Sequence, residues 1–215
     1  KFVTEMFWTG LSMALMSAIY NLGSVILQSS INALGSVYIA AQVGGRKLAE
    51  FFYIPGIALG TSAATFSSQN FGAGERVRIA KGARSGIFMY FCWWLVALVF
   101  VIFLAPTAVK FITGSSNPEV IKNGVLYLRI SIPMIPPMAI LVILRNILQG
   151  MRRPGMPLFC SCLELIGKVI FALWLVPAFG YVAVCVCEPV TWVICCVVIA
   201  VAVFAIRGEF TDRHI

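Results

Sequence analysis

Apolar residues run along this chain in six long blocks, near residues 7–31, 38–67, 85–112, 122–149, 157–178 and 181–206, separated by short joints punctuated with glycine, proline and charge. A run of roughly 20 mostly apolar residues crosses the hydrocarbon core of a bilayer as a helix. The pattern predicts an all-α polytopic membrane protein. Its six transmembrane helices fill residues 1–215 as a single unit, with almost no room for a soluble domain.

Several blocks are interrupted by proline. Pro55 followed by Gly56 lies in the second, Pro133, Pro136 and Pro137 in the fourth, Pro177 at the end of the fifth and Pro189 in the sixth. Proline removes a backbone donor and clashes with the preceding turn, so each site predicts a bend. In a membrane the freed carbonyls must be met by neighbours or by cavity water. Repeated bends suit a machine that rocks between states, and Pro55, Pro133, Pro136, Pro137 and Pro189 are the expected kink or gating positions.

Composition sharpens this picture. Mean hydropathy is +0.96, and only 11% of residues are charged, against about a quarter in soluble domains. The stretch "SQNFGAGERVRIAKGARSG" (Ser68 to Gly86) is the wet exception, and it predicts a loop between the second and third spans. Its Arg76, Arg78, Lys81 and Arg84 read as topology signals, because basic residues stay on the cytoplasmic side. Alternation then places both termini and the joint with Arg152 and Arg153 on that side, together with Lys1, Arg207 and Arg213. Lys110 and Lys122 are the basic residues of the opposite loops. The net charge of +8 is spread over these flanks, where anionic headgroups rather than nucleic acid are the expected partner.

Charged residues inside the blocks are the most informative, because each is costly at the bilayer centre unless it faces protein or water. Gln42, Arg46 and Glu50 recur every four residues, and Tyr53 extends the same helical face. Glu164 and Lys168 are four apart in the fifth block, and Glu188 precedes Pro189 in the sixth. These seven residues are candidates to line a substrate or ion cavity, with paired glue between helices as the competing reading for Arg46 with Glu50 and for Glu164 with Lys168. Glu188 lacks a local basic partner. It is a candidate either for a protonation role or for hydrogen bonding at the Pro189 kink. Lys47, Arg129 and Arg145 read as side chains that reach for the interfaces.

Soluble-enzyme chemistry is nearly excluded. The single histidine, His214, and the single aspartate, Asp212, lie in the tail, and no G-x-S-x-G or H-E-x-x-H motif is present. Seven cysteines sit in apolar blocks, where they act as small packing groups rather than metal ligands. "GAGERV" is no nucleotide loop, since no strand precedes it and Val77 stands where a third glycine is needed. The polar end of the first block, Gln28, Ser29, Ser30 and Asn32, reads as helix–helix hydrogen-bonding groups. No cleavable leader is readable behind Lys1, and the chain reads as a piece of something longer.

Three stretches carry a family resemblance. "IPGIALGTSAATFSSQNFGAG" (Ile54 to Gly74) with the basic run after it, "NLGSVILQSSINALGSVYIAA" (Asn21 to Ala41) and "ILRNILQGMRRPGMP" (Ile143 to Pro157) resemble, in order and spacing, the multidrug and toxic compound extrusion (MATE) transporters. The second stretch and the sharp end after the sixth block look most like the C-terminal six-helix lobe of that family.

The resemblance implies one lobe of a twelve-helix, two-lobe plasma-membrane transporter, with an N-terminal lobe as partner. It implies export of small cationic or amphipathic compounds by antiport with protons or sodium ions, and no cofactor. A flippase of the same superfamily, moving lipid-linked or polysaccharide precursors past Arg46, Lys47, Arg129, Arg145 and Lys168, and a non-transporting membrane scaffold stand as alternatives. Several branches of the family carry a carboxylate in the first or fourth helix of this lobe. Here the first block holds Tyr20 and Asn21 at mid-span with Glu5 only at its edge, and the fourth holds no acid. Coupling would then rest on the partner lobe or on Glu50, Glu164 or Glu188.

Overall fold

The computed structural model describes residues 2–206 and 208, with the side chains of residues 2–6 and 9 left aside. Lys1, Arg207, Arg213, Asp212 and His214 therefore lie outside the described residues, as does the side chain of Glu5. Among the described residues the chain forms helices only, arranged as six rods. They are α1 (Phe2–Leu34), α2 (Ser36–Gly72), α3 (Arg76–Thr113), a broken rod of α4 (Pro118–Ser131) and α5 (Ile135–Gly150), a second broken rod of α6 (Gly155–Ile170) and α7 (Val176–Phe179), and α8 (Tyr181–Ala205). Five of the rods are long and apolar enough to cross a membrane. Helix α2, with Arg46, Lys47 and Glu50 in its first half and glycine, serine and threonine spread through its second, is not among them. Its 37 residues run alongside α3, α4 and α5.

The joints follow from a few residues. Gly35, at φ 108°, is the whole connection between α1 and α2, a backbone state that only glycine adopts cheaply. Gly74, at φ 76°, turns α2 into α3, and Glu75 N–H donates back to the Asn70 carbonyl at 2.8 Å. Gly114 ends α3 in the left-handed conformation, and Asn117 caps α4 by accepting from Glu119 N–H at 2.9 Å, with Pro118 at the first helical position. The expected long loop at residues 68–84 is corrected to this tight turn. Hydrogen-bonded helix persists to Gly72 and resumes at Arg76, so Arg76, Arg78, Lys81 and Arg84 occupy the first turns of α3.

Proline acts unevenly. Pro133, Pro136 and Pro137 break the fourth rod through a 3-10 turn at Ile132–Met134. Pro136 has no N–H to bond the carbonyl four residues back, that of Ile132, and the indole of Trp94 on α3 donates to that oxygen at 3.0 Å. On α2, the Phe52 carbonyl, three residues before Pro55, accepts from Trp93 at 3.0 Å and from Tyr90 at 3.5 Å, which ties α3 to α2 beside the proline. Pro55 and Pro189 leave their helices unbroken. A π-helical stretch at Phe171–Leu175 precedes Pro177, and Pro106, which the sequence pattern did not single out, lies inside α3 without breaking it.

Helix α2 is the hub, packed on α3, α4 and α5, while α8 packs on α4, α5 and α6. Helix α1 rests mainly on α6 rather than on its chain neighbour. Without a hydrophobic drive between helices in lipid, close approach depends on small residues. A Cβ on Gly45 of α2 would come 3.0 Å from Tyr127 and 3.2 Å from the Gly124 carbonyl of α4. A Cβ on Gly150 of α5 would collide with the Ala64 carbonyl oxygen of α2, a backbone atom that no rotamer change removes. Gly150→Ala should therefore force α5 off α2 and cost about 1–3 kcal/mol. A lowered melting temperature of the purified protein in detergent checks this, with Gly155→Ala, where nothing lies near the added methyl, as the silent control.

Candidate functional site

Polar groups converge in the interior at the centre of α4 and α8. Tyr127 on α4 is fully buried and donates its hydroxyl to Oε2 of Glu188 on α8 at 3.3 Å. Ser131, one helical turn further along the same face of α4, lies beside both Tyr127 and Tyr53 of α2. The hydroxyls of Tyr53 and Ser131 are buried, and neither makes a hydrogen bond. Trp192 packs on the edge of this cluster against Tyr53, ring centroids 5.6 Å apart at 88°. A carboxylate and three hydroxyls form an all-oxygen set. Such a set can hold a proton on the carboxylate or ligate a hard cation.

Glu188 does not serve a carbonyl at the Pro189 kink, one of the two roles expected for it. Thr191 donates its hydroxyl to the carbonyls of Cys187 at 3.1 Å and Glu188 at 2.8 Å, the back-bonds of a helical threonine and not the Cys185 carbonyl that Pro189 frees. The Glu188 carboxylate is left to Tyr127. The charged side chains nearest this region come from other helices, Arg46 on α2 and Glu164 and Lys168 on α6.

A second cluster lies where α1, α5 and α6 meet. Glu164 and Lys168 are both buried, yet each takes a partner from another helix. Arg145 of α5 pairs with Glu164 at 3.3 Å and also donates to Ser161 and to the Pro157 carbonyl. Lys168 donates to Ser24 of α1 at 3.1 Å and sits 4.0 Å from the centre of the Tyr20 ring, a cation–π contact. Arg145, expected to reach for the interface, is instead the partner of a buried acid. The reason is geometric: α6 holds Ser161 and Glu164 one turn apart on the side that faces α5. Above this cluster a cleft of about 350 Å³ opens between α1 and α5, lined by Met16, Tyr20, Asn21, Arg145 and Gln149 among others.

The stripe on α2 divides. Gln42 is buried and accepts from the Tyr181 hydroxyl of α8 at 2.8 Å, and Tyr53 is buried beside Ser131 in the Glu188 cluster. Arg46 and Glu50 pair with each other at 3.1 Å at the surface, the Glu50 side chain 58% exposed. The exposed face of α2 continues through Lys47, Thr61, Ser62, Thr65 and Gln69. Exposed Ser17, Tyr20, Asn21, Ser29 and Asn32 give α1 a similar polar face. The gating prolines stand apart from these groups, apart from Pro189 beside Glu188. Arg152 and Arg153 occupy the turn between α5 and α6, and Arg152 is left-handed at φ 60°. Among the described residues no three His, Cys, Asp or Glu side chains gather as a metal site would require.

Tyr127, Ser131, Arg145 and Ser24 were missed or misread in the sequence. The four-residue spacing of Asn123, Tyr127 and Ser131 was the available signal for the first two.

A fold of this kind, an all-helical bundle with buried charges and proline-broken rods, matches known proteins. The MatE family model matches residues 12–174. The chain belongs to the MatE family of membrane transporters. Among solved structures, it is similar to a point mutant of a MATE protein (TM-score 0.84, 15% identity, 97% of this chain and 47% of that one). It is also similar to an outward-facing multidrug resistance MATE family transporter of the MOP superfamily (TM-score 0.77, 16% identity, 97% and 46%). A MOP superfamily transporter from Pyrococcus furiosus gives a TM-score of 0.73 at 16% identity, with 97% and 46% covered. The chain thus spans about half the length of the solved proteins it matches. No curated protein matches it in sequence at a significant level.

The two ion pairs should differ sharply in weight. Removing one partner of a buried pair leaves an uncompensated charge and costs about 3–5 kcal/mol, whereas exposed pairs contribute little. Glu164→Gln should therefore destabilise the detergent-solubilised protein strongly, Glu50→Gln hardly at all, and Glu164→Leu combined with Arg145→Met should recover most of the loss. Equal melting temperatures for Glu164→Gln and Glu50→Gln would refute the assignment.

Proposed function

We propose that this chain forms one lobe of a secondary active transporter that exports small cationic or amphipathic compounds in exchange for protons or sodium ions. In this reading a second, N-terminal lobe of the same protein completes the cavity, and the polar faces of α1 and α2 point toward it. Support comes from the contrast with α3, whose exposed residues Phe88, Val96, Ile102 and Phe103 suit lipid. The broken rod at Ile132–Met134 supplies a bend about which the cavity wall can change shape.

The observation that carries the coupling half of the reading is the pair of orphaned hydroxyls, Tyr53 and Ser131, beside the Tyr127–Glu188 hydrogen bond. Buried polar groups without partners are rare and call for a water, an ion or a functional role. Glu188 is the carboxylate we assign to the exchanged ion. The protein resides in the plasma membrane, with both termini cytoplasmic.

Efflux of a fluorescent cation from vesicles containing the full-length protein, under imposed proton or sodium gradients, tests this directly. Glu188→Gln keeps the hydrogen-bonding shape and removes the titration, so export should lose its dependence on the gradient while folding survives. Unimpaired gradient-driven export by the Gln variant would exclude Glu188 as the coupling group. For topology, single cysteines introduced at Glu75 and at Ser116 should label from opposite sides of intact cells, Glu75 from within. Labelling of the Glu75 position from outside would invert the orientation.

A further inference from the structure

Arg129 belongs to neither of the two interior polar clusters. It is exposed on α4, away from the polar faces of α1 and α2, and no acid among the described residues pairs with it. Two apolar grooves meet at its side chain. One, of about 580 Å³, lies between α3 and α4 and is lined by Pro106, Pro118, Ile121, Val125 and Leu126, with Lys122 at its side. The other, of about 480 Å³, lies between α4 and α8 and is lined by Pro133, Pro189, Val190, Val193 and Ile194. Lys122 and Arg129, seven residues apart, share one face of α4. Lys110 follows Pro106 by four residues on α3, so a further cation lies toward the same end.

We infer that this face binds one anionic phospholipid, its phosphate held between Lys122 and Arg129 and its acyl chains laid in the two grooves. The argument is charge complementarity within hydrocarbon. An exposed guanidinium about 16 Å along α4 from Pro118 is costly against lipid tails. A phosphate meets that charge, and a guanidinium engages phosphate through two parallel hydrogen bonds. Lys122, 10 or so ångströms nearer the α3–α4 joint at 1.5 Å per residue, fixes the headgroup end. The groove walls carry Val, Ile, Leu and Pro, the surface an acyl chain prefers. Glu119, one turn from Lys122, is exposed at the joint and does not line either groove. Of the groove prolines, Pro118 opens α4 and Pro133 lies in the 3-10 turn, so an occupied site touches the break between α4 and α5.

The test is photo-crosslinking of the full-length protein in nanodiscs with phosphatidylglycerol carrying a diazirine on its acyl chain. Labelled peptides should map to 118–134 and 186–194. Unlabelled phosphatidylglycerol should compete, and phosphatidylcholine or free inorganic phosphate should not. Neutralising Lys122 and Arg129 to Gln should weaken labelling by about fivefold per charge removed, whereas Arg129→Lys should retain most of it. Val193→Trp, which fills the α4–α8 groove without touching a charge, should also reduce labelling. Exposed sites are chosen so that folding survives, and an unchanged melting temperature verifies it. Equal competition by phosphatidylcholine, or labelling at these peptides that persists in the Lys122→Gln, Arg129→Gln variant, would overturn the assignment.

Discussion

In hydrocarbon no water is at hand to meet a backbone carbonyl, so each proline inside a span creates a debt that another part of the protein must settle. At the most heavily broken point of the chain the Ile132 carbonyl takes both the Ile135 N–H of the 3-10 turn and the Trp94 indole. The indole bond fixes α3 against the bend between α4 and α5, and the paired donors Tyr90 and Trp93 tie α3 to the Phe52 carbonyl of α2. Aromatic donors on α3 thereby decide where the bent rods can lie. The tight glycine contacts between α2 and its neighbours follow, because a rod held at its bend can approach a flat backbone closely elsewhere.

The interior that results is charged but internally compensated. Arg145 and Glu164 pair directly, Lys168 is shared between a serine hydroxyl and an aromatic face, and Glu188 takes a phenol. None of these arrangements uses a sequence neighbour. Each contact crosses between helices, so the cluster also fixes which helix stands next to which, and the long association of α1 with α6 rests partly on Lys168.

Much of the fold was legible in the sequence because membrane spans are written in composition, and the blocks of apolar residues could not be confused with anything else. The helix joints were less legible. Residues 68–84 looked like a loop because charge marks the end of a hydrophobic run, yet Arg, Lys and Glu are good helix formers and the backbone stays helical through them. Site residues divided in the same way. Positions where a charge breaks an apolar run, such as Glu164, Lys168 and Glu188, stood out at once, but their partners did not. Spacing of four suggested that Glu164 and Lys168 bond each other, and helix packing overrode it. Tyr127 and Ser131 blend into any apolar helix, and only burial beside a carboxylate distinguishes them.

The joint at Gly35 carries a mechanical implication. Helix α1 is tied to the rest of the chain by one residue and touches α2 little, so its position depends on its contacts with α6. Those contacts include Ser24 and Tyr20, the two groups that hold the Lys168 ammonium. A swing of α1 about Gly35 would strip both from the ammonium together. The angle of one helix and the solvation of one buried charge then form a single coordinate, and work done on either is work done on the other.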